Sequence, residues 1–171
     1  MNKQIKNFIF VALLQFVVLV YPVYIWQDIT NSGTEYKFLV EISPPHKTFS
    51  GYYLNLNFAT SKFTTTEKIP TNKQLYALLT IDQQGFYQIS AVKQDLPQNN
   101  NSYFLTKLNY QHNNELHLDI PFNKYYINER TAKSLALQSL EKQSGNYAIV
   151  SIKNGHGVIK QIYYNDIPLI N

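Results

Sequence analysis

Two kinds of chemistry can be asked of this chain, metal binding and serine-based hydrolysis. It holds four histidines, His46, His112, His117 and His156, and no cysteine. Without thiols there are no disulfides, thiolate metal sites or cysteine nucleophiles. His112 and His117 are five apart, so on one continuous strand they face opposite ways. His117 and Asp119 share a face, but two ligands fall short of the three or four a zinc site uses. His46 and His156 fall in expected turns. These spacings imply no metal and no cofactor. A serine hydrolase needs its nucleophile beside a desolvated lysine or a histidine. Ser50 and the Ser61-Lys62 pair are available, but no flanking motif marks either. No catalytic residue is assigned.

Binding chemistry has more to work with. Tyr125-Tyr126 and Tyr163-Tyr164 are paired aromatics of the kind that line grooves for a peptide or glycan. The plainer reading puts one of each pair in the core and the other at its rim, because neighbours on a strand face opposite ways. Glu129-Arg130 reads either as a binding pair or as a favourable charge at a helix start, and the dipole argument favours the second. Gly155-His156-Gly157 belongs to a turn and is not a phosphate loop. The formal charge of +4 includes Lys3 and Lys6, which leaves +2 for residues 27–171. The lysines are scattered and Arg130 is the one arginine. No nucleic-acid partner is expected, since a duplex-binding face gathers its cations.

The elements that position these residues begin with residues 8–26, which carry no charge and are interrupted only by Gln15 and Pro22. As a helix they span about 28 Å, close to the ~30 Å hydrocarbon core of a bilayer. Lys3 and Lys6 flank one end; Tyr21, Tyr24 and Trp26 form an interfacial belt at the other. The positive-inside rule then puts the N-terminus in the cytoplasm and the rest outside it. A cleavable signal has a shorter apolar stretch and small residues at its cut site. Here the run continues into Tyr-Ile-Trp-Gln-Asp, so a retained single-pass anchor is expected.

After the anchor, short apolar runs alternate with turn residues. Strands are expected at 36–43 and 52–59, separated by Pro44-Pro45 and a turn. In the second, Tyr52, Leu54, Leu56 and Phe58 share one face, while Tyr53, Asn55 and Asn57 share the other. Residues 75–81 and 86–92 flank an Asp-Gln-Gln-Gly turn, and 96–102 reads as a loop. Residues 103–110 and 115–122 form another hairpin. One helix is expected at 131–142, stopped by Ser144-Gly145. Residues 146–153 and 157–165 turn through Asn154-Gly155, a strong hairpin signal. Fourteen Tyr and ten Phe suit strands and a filled core. The expected fold is mainly β, a β-rich α+β arrangement: one antiparallel barrel- or sandwich-like domain with about eight strands and a single late helix. The chain divides into a cytoplasmic tip and anchor (1–26), a tether (27–34) and an extracytoplasmic domain (35–171).

The stretch VEISPPHKTFSGYYLNLNF, residues 40–58, resembles the signature of the GDYXXLXY family of membrane-anchored proteins. Gly51, Tyr53 and Leu56 match the pattern, Phe58 stands for its last Tyr, and Tyr52 replaces its Asp. The runs LYALLTIDQQGFYQI (75–89), KYYINER (124–130) and YAIVSIKNGHGVIKQIY (147–163) resemble the family's next hairpin, its aromatic strand with a Glu at the helix start, and its closing hairpin. The resemblance brings no activity with it. It implies a membrane-attached envelope domain, and a multi-spanning membrane protein as partner. If the family's Asp is catalytic, this member is altered, because a Tyr is no general base near neutral pH. If that Asp caps the turn, Ser50 can stand in as a weaker cap. The functional expectation is a non-enzymatic accessory or binding module; the alternative is an anchored hydrolase of signal-peptidase-like outline, an analogy of fold only.

Overall fold

A computed structural model describes residues 3–67, 69–70, 73–97, 102–137 and 145–169. The apolar run is one helix, α1 (Lys3–Ser32), long and apolar enough by length and composition to cross a membrane. Residues 3–27 are all exposed. The stretch expected as a tether, 27–34, is helical as far as Ser32. Nothing in Gln-Asp-Ile-Thr-Asn-Ser breaks a helix, and α1 continues to Ser32, with Ile29 buried against the domain. Gly33 closes the last turn, its N–H donating to the Ile29 carbonyl at 2.9 Å. The chain enters the first strand at the next residue.

The strands run β1 (Thr34–Ile42), β2 (His46–Thr48), β3 (Gly51–Phe58), β4 (Lys62–Thr64), β5 (Gln74–Ile81), β6 (Tyr87–Lys93), β7 (Tyr103–His112), β8 (Glu115–Asp119), β9 (Lys124–Ile127), β10 (Tyr147–Lys153), β11 (His156–Tyr164) and β12 (Ile167–Pro168). Helix α2 (Glu129–Leu137) lies between β9 and β10. One sheet has the order β12-β11-β10-β1-β3-β2, with β9 also on β3; the other is β4-β8-β7-β5-β6. All pairings are antiparallel. The result is the nearly closed, barrel-like β-rich domain expected from the patterning, with one later helix. The strands beyond the expected eight are mostly two to four residues long, β2, β4, β9 and β12, too short to show a period.

Alternation explains the core. Tyr36, Phe38, Val40 and Ile42 of β1 are buried, as are Leu54, Leu56 and Phe58 of β3 and Ala148, Val150 and Ile152 of β10. The second sheet contributes Ala77 and Phe104. Phe122 joins the two, its ring 5.3 Å from Phe104, 5.4 Å from Phe58 and 6.3 Å from Phe38. The strand expected to reach Phe122 stops at Asp119. Pro121 cannot donate to a ladder, and the turn it makes swings the Phe122 ring inward. A second cluster, Leu75, Leu108, Leu116 and Leu118, fills the far end of the second sheet.

The turns follow their residues. Asn154 and Gly155 have φ of 51° and 80°, as a two-residue hairpin requires. Asp82 holds its turn by accepting from the N–H groups of Gln84 (2.8 Å) and Phe86 (2.9 Å). Helix α2 starts two residues before the expected position, because Asn128 caps it by accepting the Thr131 N–H at 2.8 Å. The expected end of that helix at 142, its stop at Ser144, and residues 98–101 of the expected loop lie outside the described residues.

Candidate functional site

The residues singled out by sequence fall in two places. Gly51 ends a turn with φ of +131°, a conformation that favours glycine. Thr48 Oγ1 donates to the Gly51 carbonyl at 3.0 Å and lies 3.3 Å from Ser50 Oγ, so the turn is held by two hydroxyls. Leu56 and Phe58 are core, and β3 carries them there by the parity of its strand. Tyr52, at the position of the family's Asp, is a rim aromatic packed partly on the core, with Lys47 Nζ 5.9 Å from its ring centre.

Tyr53 points outward and gathers an aromatic strip. His46 stacks on it at 5.5 Å, Tyr126 of β9 lies 6.1 Å away, and Lys124 Nζ is 5.4 Å from the ring centre. Tyr126 is exposed; Tyr125, of opposite parity, is half-buried against the core, and burial raises its hydroxyl pKa. Glu129 opens α2 and pairs with Lys133 at 2.8 Å. That hydrogen bond, with help from Lys47, lowers its carboxyl pKa. Arg130 is exposed beside it. Tyr53 and Tyr126 therefore meet on the outer face of the β3–β9 pair, while Glu129 and Arg130 lie in the first turn of α2.

The histidines stay apart. His117 Nε2 lies 2.7 Å from Glu115 and its ring stacks on Tyr110 at 4.1 Å, while Lys62 reaches the same Glu115 at 3.8 Å. Among the described residues no three of His, Asp and Glu form a metal-binding group. Ser61 shares a small polar pocket of about 250 Å³ with Asn57, Asn109, His117, Asp119 and Asn123.

A larger concavity lies elsewhere. A cleft of about 940 Å³ lies between α1 and the domain, lined on the helix side by Tyr21, Pro22, Ile25 and Trp26 and on the domain side by Lys107, Asp119 and the β10–β11 turn. None of the signature residues lines it. Its back wall is the joint that fixes the helix. Lys153 Nζ donates to both carboxylate oxygens of Asp28, each at 2.7 Å, and to Ser32 Oγ at 2.8 Å. The Lys153 bond is the main cause of a lowered Asp28 carboxyl pKa, with Ser32 second. Fully buried Ser151 donates to the Ile29 carbonyl at 2.6 Å. Lys160 pairs with Glu35 at 2.6 Å just beyond.

Ser32 and Lys153 are thus a serine and a lysine in contact, though not the ones the sequence offered. Their geometry is that of an ion pair. The ammonium is engaged by two carboxylate oxygens and the hydroxyl donates to the Asp28 carbonyl at 2.7 Å, so Lys153 serves as a cation and not as an acceptor for the serine proton.

Asp28, Ser32, Ser151 and Lys153 were missed because each has its partner more than a hundred residues away. The strand pattern gave no signal: Ser151 has the parity of Ile149 and Lys153, opposite to the core residues Ala148, Val150 and Ile152, and it is buried because the end of α1 covers it.

No curated protein and no solved structure matches this chain. A family model described as GDYXXLXY protein matches residues 15–162, from the middle of α1 through the joint to β11. The chain therefore belongs to the GDYXXLXY family.

Proposed function

We propose that the protein is a single-pass membrane protein whose domain lies outside the cytoplasm and acts, without chemistry of its own, as an accessory or binding module on an integral membrane partner. One observation carries this reading. The helix is exposed on all sides over residues 3–27, yet its last turn is locked to the domain. An apolar helix of this kind needs lipid or another helix around it. Gln15, near the middle of the apolar run, adds a reason to expect a helix partner, because an amide in hydrocarbon seeks one. A rigid joint would let a partner bound in the membrane set the orientation of the domain above it. The two lysines before the run favour a cytoplasmic N-terminus.

The experiment is photo-crosslinking from positions flanking Gln15, in native membranes. The expected result is carbonate-resistant membrane association and a discrete adduct to a multi-spanning protein. Release of the full chain into the soluble fraction would refute the anchor. Membrane retention without any adduct would refute the partner.

A further inference from the structure

The cleft beside α1 has two unlike walls. The helix side is aromatic and apolar, Tyr21 to Trp26. The five steps from the first to the last of these residues rise about 7.5 Å along the axis. One leaflet's head-group layer is about 5–8 Å thick, the difference between the full bilayer and its hydrocarbon core shared over two faces. With Trp26 at the interface, the cleft therefore lies at head-group depth.

The domain side carries charge. Lys107 and Asp119 face each other across the β7–β8 ladder, and both are exposed. Neither forms an ion pair among the described residues. Asp28 and Lys153, deeper in, are committed to each other. Besides the exposed His156 of the β10–β11 turn, the open charges are thus one cation and one anion, opposite each other on a single rung. An anionic head group alone would satisfy Lys107 and be repelled by Asp119. A soluble zwitterion would leave the apolar wall uncovered.

We infer that the cleft holds the head group of an amine-bearing zwitterionic phospholipid. Its phosphate sits against Lys107 and its ammonium against Asp119, its glycerol backbone lies against the Tyr21–Trp26 wall, and its acyl chains leave the cleft past Tyr21 along the apolar run of α1. This rests on the membrane-anchor reading above.

The test uses the full chain reconstituted in nanodiscs of phosphatidylethanolamine and phosphatidylglycerol, then released into mild detergent for native mass spectrometry. One phosphatidylethanolamine should stay bound per chain, in preference to phosphatidylglycerol by about tenfold. Lys107→Gln and Asp119→Asn should each reduce retention by about tenfold with unchanged circular dichroism, since both side chains are on the surface. Equal retention of the two lipids, or retention by the double variant, would overturn the inference. Flotation with vesicles separates the two readings. A chain that floats but holds no preferred lipid removes the lipid site alone; a chain that does not float removes the anchor and the lipid site with it.

Discussion

The joint between α1 and β10 and the ribbon of β2, β3 and β9 are opposites in how they are built. The ribbon is made of residues close in sequence or in neighbouring strands, and its outward side chains stack in the open. The joint is made of residues about 120 positions apart, closed around a glycine, a buried hydroxyl and a paired cation. The ribbon contains the short Gly51–Phe58 signature, whereas the joint draws on the end of α1 and the closing hairpin, two separate stretches of the family match. The signature thus marks how β3 turns and packs, whereas the contacts that tie the domain to its helix are dispersed. The difference can be probed by cutting into each region.

The largest effect is expected on the inner face of the signature. Phe58 is buried, with its ring 5.7 Å from Phe38 and 5.4 Å from Phe122. Phe58→Ala should cost about 3–5 kcal/mol, by loss of burial and the cavity left behind. Urea unfolding of the full chain in detergent would read this as a lower midpoint at unchanged slope. A change under about 1 kcal/mol would mean that Phe58 is not part of the core.

Next is the joint itself. A Cβ on Gly33 would overlap Ser151 Oγ and the Ile29 carbonyl. The backbone there is not left-handed, so the constraint is close approach alone. Gly33→Ala should destabilise by about 1–3 kcal/mol through overpacking. Hydrogen exchange should rise in β10 and the end of α1, with the β5–β6 hairpin unaffected. Uniform loosening, or none, would show that the helix end is not seated as described.

The two regions also differ in how much could be read beforehand. The parity of β3 put Leu54, Leu56 and Phe58 inside before any coordinates, and the Asn154-Gly155 turn set the last hairpin. These are local rules with a period or a dipeptide behind them. The helix outruns its apolar stretch, because hydropathy stops at Trp26 whereas helix geometry continues until tertiary contacts release it at Gly33. Asp28 read as the polar flank of a membrane helix, and Lys153 as the polar end of a strand. Only the fold brings them to 2.7 Å. The cleft was illegible for the same reason, since its walls come from α1, β7, β8 and the β10–β11 turn.

The third prediction concerns pH. The Lys153 hydrogen bond lowers the Asp28 carboxyl pKa in the folded protein. A lowered carboxylate stabilises the joint above its unfolded value of about 3.9, and that contribution is lost as pH falls through the lower folded value. The joint should therefore hold at neutral pH and loosen below about pH 4. Spin labels on α1 and β11 should give a narrow distance distribution at pH 7 that broadens in acid. Asp28→Asn should be broad at both. An Asp28→Asn distribution as narrow at pH 7 as the wild type's would assign the joint to Ser151 and Ile29 alone.

The smallest effect belongs to the outward face of the ribbon. Tyr53 and Tyr126 are a cross-strand pair in register between β3 and β9, and both rings reach solvent. Such a pair contributes about 0.2–1 kcal/mol, so Tyr53→Ser should shift the unfolding midpoint only slightly. His46 would lose its stacking partner and Lys124 the ring beneath it. If stability is nearly untouched while crosslinking to the proposed membrane partner falls, the strip is a contact surface. If crosslinking is also untouched, Tyr53 acts within the ribbon alone, and what the signature encodes is the Gly51 turn and the buried Leu56 and Phe58 that follow it.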